Sequence, residues 1–301
     1  MKIEKLRRKI EYIKAIKREV FSKEGYFLKW FQKEWALVGC NDKRIAWCKE
    51  NGYPEYAEYF SKYKPYKMAM DENALFWIKD HPELINQVHY DKSCCMFYFE
   101  RNNKRLYWRK DVDMLQMIED YAYLCYEQSE TSAHKYFDDD FDIHTNDIIA
   151  DIGCAEALIT LDYIDIIEHA YLFECNENWI EALKKTFEPW KNKVTIVNKF
   201  VGEKDMNDVI SLDTFFKDKQ IDLIKMDIEG NEIKALLGAQ NLIKGDKPPK
   251  FAVCAYHGHD DEDNIIKLFK GFNITKSPGK LFTGCSEIPY FNTGVIRAVK
   301  L

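Results

Sequence analysis

No apolar stretch of this sequence approaches the length of a bilayer span, and no secretory apolar run follows the first Met. Neither a transmembrane segment nor an export leader is therefore expected. No two cysteines stand in C-x-x-C spacing, and the nine cysteines are an odd number, with only Cys94 and Cys95 adjacent. That argues against a disulfide framework and favours a reduced, cytoplasmic protein. Cys154, Cys175 and Cys254 sit in or beside apolar runs that read as core strands. Positive charge is also in short supply: 44 Lys and Arg face 50 Asp and Glu, a net charge of −6. A nucleic-acid binder working through a broadly basic surface is excluded on that balance. Repeats and low-complexity segments are absent as well.

What is present is a chain of 301 residues, 46% apolar and 15% aromatic, enough to bury a large core in one large or two modest domains. Ile3, Leu6, Ile10, Ile13 and Val20 recur near helical spacing with lysines and arginines between them. They predict a basic amphipathic helix packed on the domain or on a second subunit of a homo-oligomer, with contact to an anionic membrane surface as the alternative. Residues 25–85 carry Trp30, Trp35, Trp47, Tyr56, Tyr59, Phe60 and Trp77 in helix-like patterns, with Asp71 as a candidate cap. Such a stripe reads as core, and a sugar-stacking surface is the rival reading.

A hairpin follows. Cys95, Phe97 and Phe99 alternate, Asn102-Asn103 supplies the turn, and Leu106 and Trp108 alternate on the return. Residues 111–128 then read as a helix with Met114, Met117, Ile118, Tyr121 and Leu124 on one face.

From residue 147 the pattern changes. Apolar runs at Asp147–Ile152, Ala170–Phe173, Val194–Val197, Ile221–Met226 and Phe251–Ala255 alternate with helical segments such as Trp179–Phe187 and Glu232–Leu242. Gly271-Phe272 and Thr293–Val299 read as closing strands. Continuous apolar strands separated by helices predict an α/β fold, a doubly wound, mostly parallel Rossmann-like sheet covered on both faces. The N-terminal helical region with its β-hairpin is placed at 1–130, as an acceptor or partner contact. The sheet domain is placed at 131–301, after a boundary region that contains Asp138-Asp139-Asp140.

In such a sheet ligands bind beyond the carboxyl ends of the strands, where strand order reverses. The first strand ends in Asp151-Ile152-Gly153-Cys154-Ala155-Glu156-Ala157. A dinucleotide would call for G-x-G-x-x-G, but the second and third glycine places hold Ala155 and Leu158. Asp151 and Glu156 would also disfavour a pyrophosphate, whereas they attract the sulfonium and ammonium of S-adenosylmethionine. Glu174 closes the second strand about twenty residues beyond the glycine turn, where a carboxylate accepts both ribose hydroxyls.

Here the sequence resembles the FkbM family of S-adenosylmethionine-dependent methyltransferases over residues 147–245. The motifs are Ala150-Asp151-Ile152-Gly153, Leu172-Phe173-Glu174, Ser211-Leu212-Asp213, the run from Ile221 through Lys225-Met226-Asp227-Ile228-Glu229-Gly230-Asn231-Glu232, and Leu236-Leu237-Gly238-Ala239. One departure is Ala157, where the family usually has Gly; it predicts a helix that begins slightly farther from the strand. The resemblance implies S-adenosyl-L-methionine as cofactor and O-methylation of a hydroxyl on a sugar, glycan or natural product, with no nucleic-acid partner.

The cofactor set is Asp151, Gly153, Cys154, Ala155, Glu156, Glu174, Cys175, Asn176, Val201, Asp227 and His134. His134 belongs to Ser132-Ala133-His134-Lys135-Tyr136, which reads either as a lid over the methionine end or as a helix cap from Thr131 or Ser132. Methyl transfer to a hydroxyl needs alignment and removal of a proton. His257 after the fifth strand is the candidate base, with Asp227 and Glu229 at the end of the fourth as catalytic partners. Glu232 reads equally as a helix N-terminal acid, and the His259-Asp260-Asp261 loop as a solvated turn. Asp227 with Glu229 also suits Mg²⁺, but no metal site is predicted, for want of a further ligand cluster. A non-catalytic binding module that keeps the cofactor fold is the alternative from another class.

Overall fold

The computed structural model describes residues 41–54, 57–58, 61, 82–283 and 290–300. The expected N-terminal amphipathic helix, Asp71, and most of the aromatic stripe lie outside the described residues. The chain forms two compact units. One comprises Met1–Asn86, Met114–Tyr123 and Phe282–Tyr290; among its described residues are those of a helix, Asn41–Glu50, beyond which Tyr53 stacks on Trp47. The other comprises Gln87–Asp113, Leu124–Leu281 and Phe291–Leu301. No helix among the described residues is long and apolar enough to cross a membrane.

The hairpin is part of a three-stranded antiparallel sheet, β1 (Val88–Asp91), β2 (Met96–Arg101) and β3 (Lys104–Tyr107). Asn102 and Asn103 both take positive φ, the geometry a two-residue turn requires and Asn tolerates. Arg101 grips Asp162 with two hydrogen bonds, and the Tyr107 N–H donates to Thr186, so this small sheet is fastened to two helices of the main body. The helix expected at 111–128 runs Met114–Glu127.

The main sheet contains β4 (Ile148–Ile152), β5 (His169–Phe173), β6 (Val194–Val197), β9 (Leu223–Met226), β10 (Lys250–Cys254), β11 (Phe272–Lys276) and β14 (Val295–Lys300). Two minor pairs, β7 (Phe200–Val201) with β8 (Val209–Ile210), and β12 (Leu281–Thr283) with β13 (Tyr290–Asn292), stand apart. The strand order is β11-β14-β10-β9-β4-β5-β6, parallel from β10 to β6 and antiparallel on both sides of β14. The order reverses at β4, so the carboxyl ends of β4 and β9 flank the crevice where such folds bind ligands. The predicted strand runs hold because neighbouring strands share one apolar face: Ile152, Phe173, Met226 and Val253 are all buried in one core.

Helix Glu177–Thr186 shows why the sequence forms a helix there. Asn176 caps it by accepting the Asn178 N–H, Glu177 starts it, Lys184 and Lys185 end it, and Trp179, Ala182, Leu183 and Thr186 form its buried face. The helix expected at Glu232–Leu242 is instead two, Glu232–Leu237 and Gln240–Lys244. The break falls at Gly238, whose backbone passes so close to the Gly202 carbonyl that a Cβ would sit 2.2 Å from it. Asp213 fastens the second piece by accepting the Asn241 and Leu242 N–H groups, which gives the Ser211-Leu212-Asp213 motif a structural role.

Candidate active site

The loop after β4 is built from left-handed backbone. Gly153, Ala155 and Ala157 all have positive φ, at 74°, 46° and 59°. At Gly153 this is obligatory, since a Cβ would lie 1.9 Å from the Asp227 carbonyl oxygen. The loops after β4 and β9 are thus pressed together. Alanine in the left-handed region costs about 1–2 kcal/mol per residue. The helix runs Leu158–Tyr163 with Ala157 itself as the left-handed N-cap.

Four N–H groups of this loop are engaged. Gly153 and Cys154 donate to the Phe173 carbonyl, Ala155 to Glu174 Oε2 at 2.9 Å, and Ala157 to the Cys154 carbonyl. None of these four is left to cradle a pyrophosphate. Glu174 also accepts the Asn176 N–H at 2.7 Å, so one buried carboxylate ties the ends of β4 and β5 together.

Asp151 and Lys225 are register neighbours on β4 and β9. Their side chains pair at 2.9 Å, Thr160 donates to the other Asp151 oxygen, and Lys225 also donates to the Gly153 carbonyl. Burial opposes charge on Lys225, but Asp151 and Asp227 outweigh it and hold the ammonium firmly protonated. The charge of Asp151, expected to attract the cofactor directly, is therefore answered within the protein.

Glu156 differs. It is 7% exposed, accepts a long 3.4 Å hydrogen bond from the Leu158 N–H, and burial pushes its carboxyl up to about 7. It lines a cleft together with Glu127, His134, Tyr136, Asp151 and Asp227. Gly153, Cys154 and Ala155 line it too, whereas Glu174, Cys175, Asn176 and Val201 do not. Val201 is a core residue, Cys175 is exposed and Asn176 is the helix cap.

Segment 132–138 closes the cleft as a fixed turn, without a helix for Thr131 or Ser132 to cap. Arg297 on β14 donates to the Lys135 and Tyr136 carbonyls and pairs with Asp138, and Ser277 donates to the Ala133 carbonyl. This fixes His134 between two carboxylates. Its Nδ1 is 3.4 Å from Glu127 and its Nε2 3.4 Å from Asp227. Burial alone would lower the His134 pKa, but Glu127, Cys254 and Asp227 drive it well above 6.5.

Asp227 is the meeting point. Its Oδ2 accepts the Tyr136 hydroxyl at 2.9 Å, and its Oδ1 lies 3.6 Å from His257 Nε2. Burial raises its carboxyl, but His134, Lys225 and His257 overcome this and keep it ionised. His257 is held from behind: Glu232, 1% exposed, lies 3.3 Å from Nδ1 and accepts the Ile228 N–H at 2.7 Å. Burial lowers the His257 pKa, but Glu232, then Asp227 and Glu229, raise it above 6.5. Glu229 stands 3.6 Å from Nε2 on a side chain 92% exposed.

The structure thus brings His257, Asp227, Glu229 and His134 together. Glu232 opens the helix Glu232–Leu237, as one reading had it, and is also the interior partner of His257. His259 and Asp260 are an exposed pair, as expected of a turn, but Asp261 opens the helix Asp261–Leu268 and accepts the Gly258 N–H. Sequence reasoning missed Glu127, Tyr136, Lys225 and the interior role of Glu232. Only Glu232 carried a signal, its spacing from Asp227 and Glu229. Among the described residues, two triads bring possible metal-ligand atoms within 4.8 Å, His134/Asp227/Cys254 and Asp227/Glu232/His257.

A seven-stranded sheet of this order, with one antiparallel strand near its edge and an acidic crevice at its reversal point, defines the class: a Rossmann-like methyltransferase fold. Residues 175–273 match the family model described as the methyltransferase FkbM domain, bearing out the resemblance read from the motifs. That span contains Asp227, Glu229, Glu232 and His257 and begins just after Glu174.

Among solved structures, the chain is similar to the methyltransferase FkbM from Methylobacillus flagellatus KT, at 19% identity and a TM-score of 0.45. The match covers 62% of this chain and 56% of that one, a little over half its length. It is also similar to the precorrin-6y C5,15-methyltransferase from Geobacter metallireducens GS-15, at 13% identity, TM-score 0.37, covering 52% of this chain and 83% of that one. A third is TrmK of M. capricolum in complex with S-adenosyl-homocysteine, at 16% identity, TM-score 0.35, covering 52% and 64%. No curated protein matches the chain.

Proposed function

We propose that this domain is an S-adenosylmethionine-dependent O-methyltransferase acting on a hydroxyl of a sugar, glycan or natural product. The observation that carries the reading is the His257–Glu232 pair facing Asp227 beside the loop after β4.

The donor-site chemistry fits a cation-bearing cofactor. The cleft is lined by four carboxylates, Glu127, Asp151, Glu156 and Asp227, and the loop N–H groups that would serve a pyrophosphate are occupied. When bound, S-adenosylmethionine supplies an electrophilic methyl group on a positively charged sulfur. Glu156, with Asp227 and His134, would hold its amino-acid end, and Glu174 its ribose. Gly153, Cys154 and Ala155 give it a backbone floor.

His257 then does the proton chemistry. The charge of Glu232, 3.3 Å from Nδ1, favours a proton on that nitrogen, which leaves Nε2 as the basic one, facing Asp227 and Glu229. Nε2 accepts the hydroxyl proton as the acceptor oxygen bonds to carbon, and the two carboxylates stabilise the imidazolium that forms. Because its environment raises the His257 pKa, the neutral base forms only above the ordinary histidine range, so turnover rises with pH through that region.

The test is incubation with methyl-labelled S-adenosylmethionine and a panel of hydroxylated glycans and natural products, with mass spectrometry of the products. A methyl ether on one acceptor class is the expected result. Donor binding without transfer to any acceptor, including a host extract, would favour the non-catalytic binding module instead.

A further inference from the structure

Asp151 and Glu156 stand in the same loop, line the same cleft and are both buried, but only Asp151 has a cation beside it. Among the described residues no Lys, Arg or His comes within ion-pair distance of Glu156, whose hydrogen bond to the Leu158 N–H is a long one. Lys225 on β9, already paired with Asp151 on β4, favours the charged form of Glu156 from a distance more than Asp151 opposes it, and burial outweighs both. Glu127 from the helix Met114–Glu127 and His134 from the closing segment line the same cleft and answer each other, with Asp227 beyond His134. Every other carboxylate of the cleft is thus matched, and one buried carboxyl is not.

We propose that Glu156 is the cation-recognition residue of the cleft, which carries a proton until an ammonium- or sulfonium-bearing ligand enters and releases that proton to solvent as the ion pair forms. This rests on the donor reading above and deepens it: the cleft selects for positive charge through one acid, and binding is linked to one proton. The carboxylic O–H bond breaks, the proton leaves to buffer, and the carboxylate takes the ligand cation as its partner. Burial, the largest influence on this group, raises its carboxyl to about 7, which puts the linkage in an accessible range. The ligand's own α-amino group titrates at about 7.7–8.0, so the informative window lies below that.

The experiment is calorimetric titration of the full chain with S-adenosylmethionine between about pH 5.5 and 7.5, in two buffers of different ionisation enthalpy. With a free carboxyl titrating near 7 and a bound one below 5, affinity should fall about twentyfold as the pH drops from about 7.5 to about 5.5. Near its lower end, binding should release close to one proton. Glu156→Gln should remove most of that slope and the proton release; any slope that remains belongs to His134 or His257. The wild-type protein gives a second readout: the Glu156 carboxyl carbon, followed by NMR, should titrate near 7 without ligand and stay ionised with it.

Binding with a flat pH profile and no proton release would overturn the inference while leaving the donor reading intact. So would a Glu156→Gln protein that keeps the wild-type slope. Absence of binding at every pH would overturn the donor reading and the inference with it.

Discussion

Two loops at the carboxyl edge of one sheet do different work with the same residue types. The loop after β4 is a rigid backbone turn, with left-handed residues at 153, 155 and 157, four of its N–H groups occupied and Asp151 neutralised by Lys225. The loop after β9 leaves its acids facing histidines: Asp227 meets His134 and His257, Glu229 meets His257, and Glu232 backs His257. A carboxylate beside a lysine stays charged at any working pH, whereas one beside an imidazole shares in a proton that moves near neutrality. The difference teaches that the first loop is suited to hold a ligand and the second to move a proton.

Substitutions can break that division, and the largest effect is expected in the second loop. His257→Ala should lower methyl transfer by about 10²–10⁴-fold at saturating donor and abolish its rise with pH. Donor affinity should change by less than about threefold, because the general-base contribution is made only in the transition state. Single-turnover kinetics with calorimetry checks both halves.

Gly153→Ala strikes the seam between the loops. A Cβ 1.9 Å from the Asp227 carbonyl, on a residue with φ of 74°, forces the loops apart and should cost about 3 kcal/mol or more of stability. Denaturant unfolding measures it, and a loss below about 1 kcal/mol would show that the contact can relax.

Glu174→Ala belongs to the first loop and should do the reverse of His257→Ala. Losing the acceptor of the Ala155 and Asn176 N–H groups, and with it the proposed ribose partner, should weaken donor binding about thirtyfold, or roughly 2 kcal/mol, with turnover at saturating donor preserved. Comparing apparent KM with kcat separates the two.

The smallest expected effect is a gain. Ala157→Gly relieves a left-handed alanine and should raise stability by about 1 kcal/mol, seen as a higher Tm. An unchanged or lower Tm would mean that Gly's greater freedom in the unfolded chain cancels the relief.

Much of this was legible in the sequence, for physical reasons. The sheet strands are continuous apolar runs because helices cover both faces, and each fell where expected. The hairpin turn was marked by Asn102-Asn103, the residues that best tolerate its positive φ. Asp227 and His257 were found because they end strands on the ligand edge. What the sequence hid depends on neighbours across strands or between distant segments. Lys225 reads as an ordinary residue of an apolar run until β9 is set beside β4 and it meets Asp151. Tyr136 and Glu127 reach the cleft only because Arg297 and Ser277 pin segment 132–138 and because Glu127 ends its helix beside His134. The helix break at Gly238 follows from a contact with Gly202 that no local pattern reveals.

The central claim is that the crevice at the β4–β9 reversal takes a cationic methyl donor rather than a dinucleotide. Calorimetric titration of the same preparation with S-adenosylmethionine and with NAD tests it most directly. The account predicts saturable binding of S-adenosylmethionine and none of NAD. Binding of NAD without binding of S-adenosylmethionine would contradict it.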